Sequence, residues 1–568
     1  MHVCLMGTPR IVDASGVELE VRGQKPWALL ARVLLADRPL SRRQLSTELF
    51  PGTVDPLGSL RWNLASLRTT FGRADMFNGD PVTAELPSGV TVDVLELAEG
   101  RLDLATVGDL LDGQEVASSP EFRTWLLVAR QQVAARVDSL LRARTIRALS
   151  IGEWEQAICT AELAARRAPF DEGVHVLLTK ALVMGGNTDA ALQHVRDVEA
   201  LYREELGIEP TPALRSATRR TVADAPPGVS SHAIATTLLD SGRAALSAGA
   251  VDAGIECLRR AVAEAATVTD QQLNGRCLLE LGSALVHSVR GFDDEGSILL
   301  EQAAVCATEA GDASTAVAAL RERAYSDALL GRRTEADGHL ALADELAAGE
   351  PVLTAGVNSV RAFNLTDWGR LDVGIAAHHL ALDASRSGGD QRREAWTLGL
   401  GSWAHLAAGD TATAIEWASQ CVTLVRSLRW MSFEPWPNLV IAEARHLRHG
   451  VAADAADLER SFAMSCQLAD PCWEGASCRM FALRQSAQGD HDSARRWVRD
   501  ALTRGTRVSD SWAGMLAAIR ETEADVCLAA GDERGAELAL RELIGYSASR
   551  QLDGVLARAL ARLGTITG

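Results

Sequence analysis

The 568-residue chain is long enough for three or four domains of ordinary size. Its composition, 47% apolar and 23% charged, is that of a soluble globular protein, and a net charge of −18 excludes nucleic-acid binding along the whole length while leaving room for one basic domain carried by acidic ones. Only Lys25 and Lys180 stand among the basic residues otherwise supplied by arginine, and neither follows a glycine, so this sequence holds no Walker A phosphate loop. The opening MHVCLMGTPR lacks the basic start and apolar core of a secretory signal, and no run of 18 apolar residues predicts a membrane span. Ten cysteines without a CxxC pair fit reduced, cytoplasmic thiols.

Residues 1–97 read as a small α/β unit. His2–Met6, Arg10–Asp13 and Val17–Val21 alternate apolar and polar residues between turn-forming triplets, which predicts strands. Helices are expected over Pro26–Ala36, over Arg42–Phe50 behind the capping residue Ser41, and over Leu57–Phe71. Val82–Leu86 and Gly89–Val92, split by Pro87 and Ser88, predict a hairpin. Sheet, three helices and hairpin is the order of a winged helix.

Residues 98–222 are helical by pattern, with a long amphipathic helix over Arg123–Leu149. Gly152-Glu-Trp-Glu-Gln-Ala157 and Gly186-Asn-Thr-Asp-Ala190 place two glycines 34 residues apart, the length of a tetratricopeptide (TPR) repeat. Arg167-Ala-Pro-Phe-Asp-Glu-Gly-Val-His175 lies between them, and residues 201–215, LYREELGIEPTPALR, end a helix at Gly207 and restart one after Pro210 and Pro212. In this order the segments resemble the bacterial transcriptional activator domain, the helical module behind the winged helix of antibiotic-regulatory (SARP-type) transcription activators. The resemblance implies a regulator of transcription that dimerises on direct repeats of promoter DNA and touches RNA polymerase.

Residues 223–232 read as a linker. Beyond it a glycine turn recurs at Gly249, Gly291, Gly331, Gly369, Gly409, Gly450, Gly489 and Gly531, at intervals of 38 to 42 residues. A second break lies midway in many repeats: Thr269-Asp270, Gly311-Asp312, Gly389-Asp390, Asp470-Pro471 and Ser509-Asp510. Each unit is therefore two helices of roughly 15–18 residues, and stacked units share one core. The predicted fold class is mostly α: an N-terminal winged helix, a TPR-like activator domain over 98–222, and a TPR-like superhelix over 233–568.

At about 100° per residue, Leu60, Leu64, Leu67 and Phe71 form the buried stripe of the third helix. Ser59, Trp62, Ser66 and Thr69 lie opposite, flanked by Arg61 and Arg68 on one side and Asn63 and Thr70 on the other. In a winged helix this face enters the major groove; the alternative packs Trp62 against the hairpin or the next domain. Family recognition helices generally carry more arginine here, often where Ser66 stands, which points away from arginine–guanine readout. Between Arg22 and Arg73 nine basic residues face three acidic ones, a net +6. Arg42 and Arg43, beside the helix start at Ser41, suit phosphate contact.

Trp396, Trp436, Trp473 and Trp512 recur just after the mid-repeat break, either filling the same slot between helices or lining a concave groove for a peptide, protein or small-molecule effector. Arg429-Trp-Met-Ser-Phe-Glu-Pro-Trp-Pro437 is the local candidate for that groove, through Trp430, Phe433 and Trp436. His446-x-x-His449 lacks a third metal ligand, Cys466, Cys472 and Cys478 are not aligned on a helix, and no GxSxG, HExxH or phosphate loop occurs. The sequence thus reads as a cytoplasmic, non-enzymatic regulator without cofactor or metal, expected to bind promoter DNA, RNA polymerase and a second copy of itself, with the C-terminal repeats as a detachable sensor. The competing reading is a TPR-type interaction scaffold whose winged helix no longer binds DNA.

Overall fold

The structure is a computed structural model that describes every residue except 37–38, 85, 88, 105–106, 115, 117, 211, 219–230, 248–249, 290, 429, 450–454, 509 and 568. Arg38 of the basic stretch, Glu85 and Ser88 of the expected hairpin, the repeat markers Gly249, Gly450 and Ser509, and Arg429 therefore lie outside the described residues, as does 223–230 of the expected linker. Ser231 and His232, the last two linker residues, already open the helix Ser231–Ser247. The chain divides into two compact units, Met1–Leu141 and Arg142–Gly568.

In the first unit β1 (His2–Cys4), β2 (Arg10–Val12), β3 (Glu18–Leu19) and β4 (Thr91–Val92) form a sheet in the order β3-β2-β1-β4. β1, β2 and β3 run antiparallel through the two short turns, with Val3 opposite Ile11 and Ile11 opposite Leu19. Helices α1 (Lys25–Leu34), α2 (Arg42–Leu49) and α3 (Pro56–Phe71) contribute Leu29, Leu30, Leu45, Leu49, Leu60 and Leu64 to the core. Then come α4 (Asp93–Ala98) and the start of α5 (Pro120–Ile151). The expected boundary at 97/98 falls inside α4, and the division between the units falls inside α5.

The hairpin expected over 82–92 is corrected. Its donors are spent elsewhere: the Val82 N–H goes to the Leu40 carbonyl at 2.8 Å, the Thr83 N–H to Asn78 at 3.2 Å, and the Thr91 N–H to Met1 at 3.0 Å. β4 instead lies parallel to β1. Asp93, just after β4, holds it there: the buried carboxylate accepts the N–H groups of Leu5 and Met6, each at 2.8 Å. Burial raises the Asp93 pKa, opposed by those same N–H groups.

Among its described residues the second unit is built of helices joined by turns. The end of α5 leads into α6 (Trp154–Arg167), α7 (Glu172–Met184), α8 (Thr188–Glu205) and α9 (Pro212–Ser216), and paired helices continue from Ser231–Ser247 to Asp553–Thr567. The fold class is thus mostly α, with a small sheet at the N-terminus and a helical-repeat solenoid behind it. The aspartates at the mid-repeat breaks have a physical role: Asp270, Asp312, Asp390 and Asp470 accept an N–H from the first turn of the helix they precede. Each cap typically stabilises its helix by about 1 kcal/mol.

Two features of this unit are invisible in the repeat pattern. First, the solenoid meets itself. Gly291 donates its N–H to Asp510 at 2.7 Å, Gln551 exchanges hydrogen bonds with Thr334, and Arg550 donates to the Leu330 carbonyl at 3.0 Å. Gly369 and Gly554 pass so closely that a Cβ on Gly369 would lie 2.4 Å from the Gly554 nitrogen. Second, the helices before the expected linker and those after it share a core. Arg142 is buried against Asp293 (3.4 Å) and Asp294, Phe292 packs on the cluster of Val176, Val198, Tyr202 and Leu214, and Ile298 packs on that of Ile146, Leu149 and Leu177. Burial lowers the Arg142 pKa to about 9, with Asp293 opposing. The expectation of a detachable C-terminal sensor is corrected accordingly: removing it would strip Arg142 of both carboxylates.

Candidate nucleic-acid interface

α3 is delimited by its own ends. The Asp55 side chain accepts the Gly58 N–H at 2.7 Å, Pro56 opens the first turn, and Gly72 closes the helix in the left-handed region. Leu60, Leu64, Leu67 and Phe71 are buried as their spacing predicts. On the opposite face Trp62 is 64% exposed, Thr69 is exposed, and Ser59 and Ser66 are half-buried. Leu57 in the first turn and Val54 just before the helix are exposed as well, Leu57 on the side of Leu64 rather than that of Trp62.

Three candidates sit differently from the sequence reading. Asn63 is only 5% exposed, with its amide donating to the Ser59 carbonyl at 2.8 Å and its Oδ1 buried without a partner. It stands three residues after Leu60 and four before Leu67, which places it on the core side. Arg68 is no open cation: its guanidinium donates to the carbonyls of Met76 and Phe77, both at 2.8 Å, and to the Asn78 side chain at 3.0 Å, pinning the 76–78 loop. Arg42 donates through Nε to the Gly79 carbonyl at 2.8 Å, and its backbone N–H goes to Asp80. A carboxylate therefore already occupies the helix start that was expected to receive a phosphate.

The rest of the basic stretch is similarly engaged. Arg22 pairs with Glu20, Arg73 with Asp75, and Arg32 with Glu48 at 2.8 Å, while Lys25 donates to the Leu49 carbonyl. Among the described residues of this stretch, Arg43 and Arg61 stay open. Arg43 is exposed and, among the described residues, has no carboxylate partner. Arg61 is exposed and only 3.7 Å from the equally exposed Asp55, a pairing worth about 0–1 kcal/mol and readily exchanged for a phosphate. What sequence reasoning missed is the intramolecular competition for guanidinium groups. The loop carbonyls of residues 76–79 carry no side-chain signature that would have announced it.

The aromatic groove is corrected too. Phe433 is buried and Trp436 is 1% exposed, its indole N–H donating to the Gly399 carbonyl at 3.0 Å. Trp473 stacks on Trp436 at 5.2 Å, and Trp512 meets it edge-on at 4.9 Å. Only Trp430 is half-exposed, stacked on Phe433 at 4.8 Å beneath the Arg392 guanidinium. Of the two readings of the recurring tryptophans, the filled slot describes Trp436, Trp473 and Trp512. Among the described residues no group of His, Cys, Asp and Glu is placed to hold a metal, and no helix is long and apolar enough to cross a membrane.

No curated protein matches the chain. Among solved structures, Mycobacterium tuberculosis EmbR in complex with a low-affinity phosphopeptide aligns at 19% identity and a TM-score of 0.29 over 38% of this chain, which spans only 63% of that protein. A Rap protein complexed with Competence and Sporulation Factor aligns at 10% identity and a TM-score of 0.30, covering 76% of this chain and 99% of the other. Yeast Tom70 aligns at 11% identity and a TM-score of 0.31, covering 73% and 92%. The family comparison matches residues 96–221 to the bacterial transcriptional activator domain, the segment that carries the resemblance.

Proposed function

We propose that the chain is a cytoplasmic, DNA-binding regulator of transcription, an activator, that docks α3 in the major groove of promoter DNA. The observation that carries this reading is the activator domain placed directly behind a unit whose α2 and α3 present Arg43, Arg61 and Trp62 to solvent. In this reading residues 1–97 form the winged-helix DNA-binding domain, 98–222 the activator domain that dimerises and contacts RNA polymerase, 223–230 a linker, and 231–568 the repeats that receive a protein, peptide or small-molecule signal. The buried Arg142–Asp293/Asp294 cluster then gives the repeats a packed route to the activator domain.

Binding is measured as affinity for the chain's own upstream DNA against salt concentration. Arg43 and Arg61, left open in the described part of the basic stretch, predict a contribution of near −2 to the log–log slope, at about −0.9 per neutralised phosphate. Arg43→Ala or Arg61→Ala each removes about one unit of slope. A specific observation favours the second reading, a TPR-type interaction scaffold: most cations of the basic stretch are already bound within the fold. A flat salt dependence, or no binding at low salt, would establish the scaffold.

A further inference from the structure

Resting on that reading of α3, we propose that Trp62 reads the C5-methyl group of a pyrimidine, thymine or 5-methylcytosine, in the major groove. Each base pair offers a distinct edge there: guanine two acceptors, adenine an acceptor and a donor, cytosine a donor, and thymine an acceptor beside a methyl group. The side chains that read hydrogen-bonding edges bidentately are withdrawn from this face. Arg68 is bound by three loop acceptors, Arg42 by the Gly79 carbonyl, and Asn63 is buried. The Thr69 hydroxyl donates to the Ala65 carbonyl at 3.0 Å, which spends its proton inside the helix. Arg61 stands at the edge beside Asp55, suited to the backbone.

What α3 presents at its centre is apolar. Trp62, Ala65 and Thr69 stand at i, i+3 and i+7, so an indole, a methyl group and a threonine methyl share one stripe, all exposed. An indole left in water beside the exposed Arg61 is matched by a partner that is anionic at its rim and apolar at its centre. A duplex with a C5-methyl group on the floor of its major groove has that arrangement.

The experiment selects duplexes for the full-length protein from a random pool, then replaces each thymine of the best site with uracil, which removes the methyl and nothing else. A C-to-5-methylcytosine series adds the methyl in the other base. Wild type is expected to lose about three- to fivefold in affinity at one or two thymines, the loss expected for one buried methyl. Trp62→Ala is expected to bind thymine and uracil sites alike, with an unchanged melting temperature showing an intact fold. A gain from 5-methylcytosine but no loss from uracil assigns the contact to the methylated base. Wild-type affinity unchanged in both series, or changed equally in Trp62→Ala, overturns the methyl contact while leaving DNA binding in place. Failure to select any duplex above non-specific binding overturns the DNA-binding reading itself, and this inference with it.

Discussion

Trp62 and Trp436 put the same side chain in opposite circumstances. Trp62 is 64% exposed on the open face of α3, while Trp436 is 1% exposed, with its indole N–H on the Gly399 carbonyl and Trp473 and Trp512 around its ring. The charged groups divide the same way. Arg43 and Arg61 lie open at the surface of the first unit, whereas in the repeats Arg333 and Asp367 are buried together and Trp512 donates to the same carboxylate. An aromatic or a cation whose valences are filled within the fold holds the fold; one left open awaits a partner. Exposure and unspent hydrogen-bonding capacity, rather than residue type, separate the two.

The comparison is most severely tested at Trp436. Trp436→Ala removes a ring packed against three others and leaves a cavity, so the repeats are expected to lose about 3–5 kcal/mol of stability, read by denaturant titration. A loss below about 1 kcal/mol would mean that the cluster relaxes around the void and that the aromatic slot is a groove after all.

Next in size is the contact of the solenoid with itself. Gly369 has φ of 91°, and its Cβ position is occupied by the Gly554 backbone. Gly369→Val therefore adds left-handed strain to a backbone clash, together about 2–4 kcal/mol. The readout is hydrogen exchange. Amides of the final helix, Asp553–Thr567, should exchange faster while those around Trp436 stay protected. If both regions loosen together, the closure and the aromatic core are one cooperative unit.

These two predictions show where sequence was legible. The repeat spacing and the helix bounds follow from periodicity and capping, because each is decided within a few residues of its own position, whereas the activator segment was legible only through its resemblance to a known family. The meeting of Gly291 with Asp510, of Thr334 with Gln551, and of Arg142 with Asp293 and Asp294 depends on how many repeats the solenoid takes to return on itself, a sum of small rotations that no single repeat encodes. The candidate site divides likewise. The buried stripe and open face of α3 follow from 3.6 residues per turn, whereas the capture of Arg68 and Arg42 by residues 76–79 depends on a loop path that the sequence does not mark.

A third test uses acid. His378 is fully buried, its Nε2 3.4 Å from the Thr366 hydroxyl, and burial, reinforced by His405 and His379, pushes its pKa down to about 3. Folded, it stays neutral, while the unfolded chain takes up a proton below about pH 6.5. Stability is therefore full above that pH and falls by about 1.4 kcal/mol per pH unit below it, roughly 3 kcal/mol at pH 4.5. His194, lowered to about 4 chiefly by burial, adds a second proton over much of the same window. Denaturant titrations from pH 7 to 4.5 should show the slope reduced by one proton in His378→Leu; an unchanged slope would mean that His378 is reached by water in the folded state.

The smallest expected effect carries the most information. Trp62→Ala touches no filled valence, so its stability should shift by no more than about 0.5 kcal/mol in thermal unfolding. A destabilisation above about 2 kcal/mol would show that the indole is packed in solution, and the contrast with Trp436 would collapse. A near-silent change in stability together with a measurable loss of DNA affinity is the signature of a side chain held ready for a partner. Packing within the fold would move the first quantity, and a merely solvated surface would move neither.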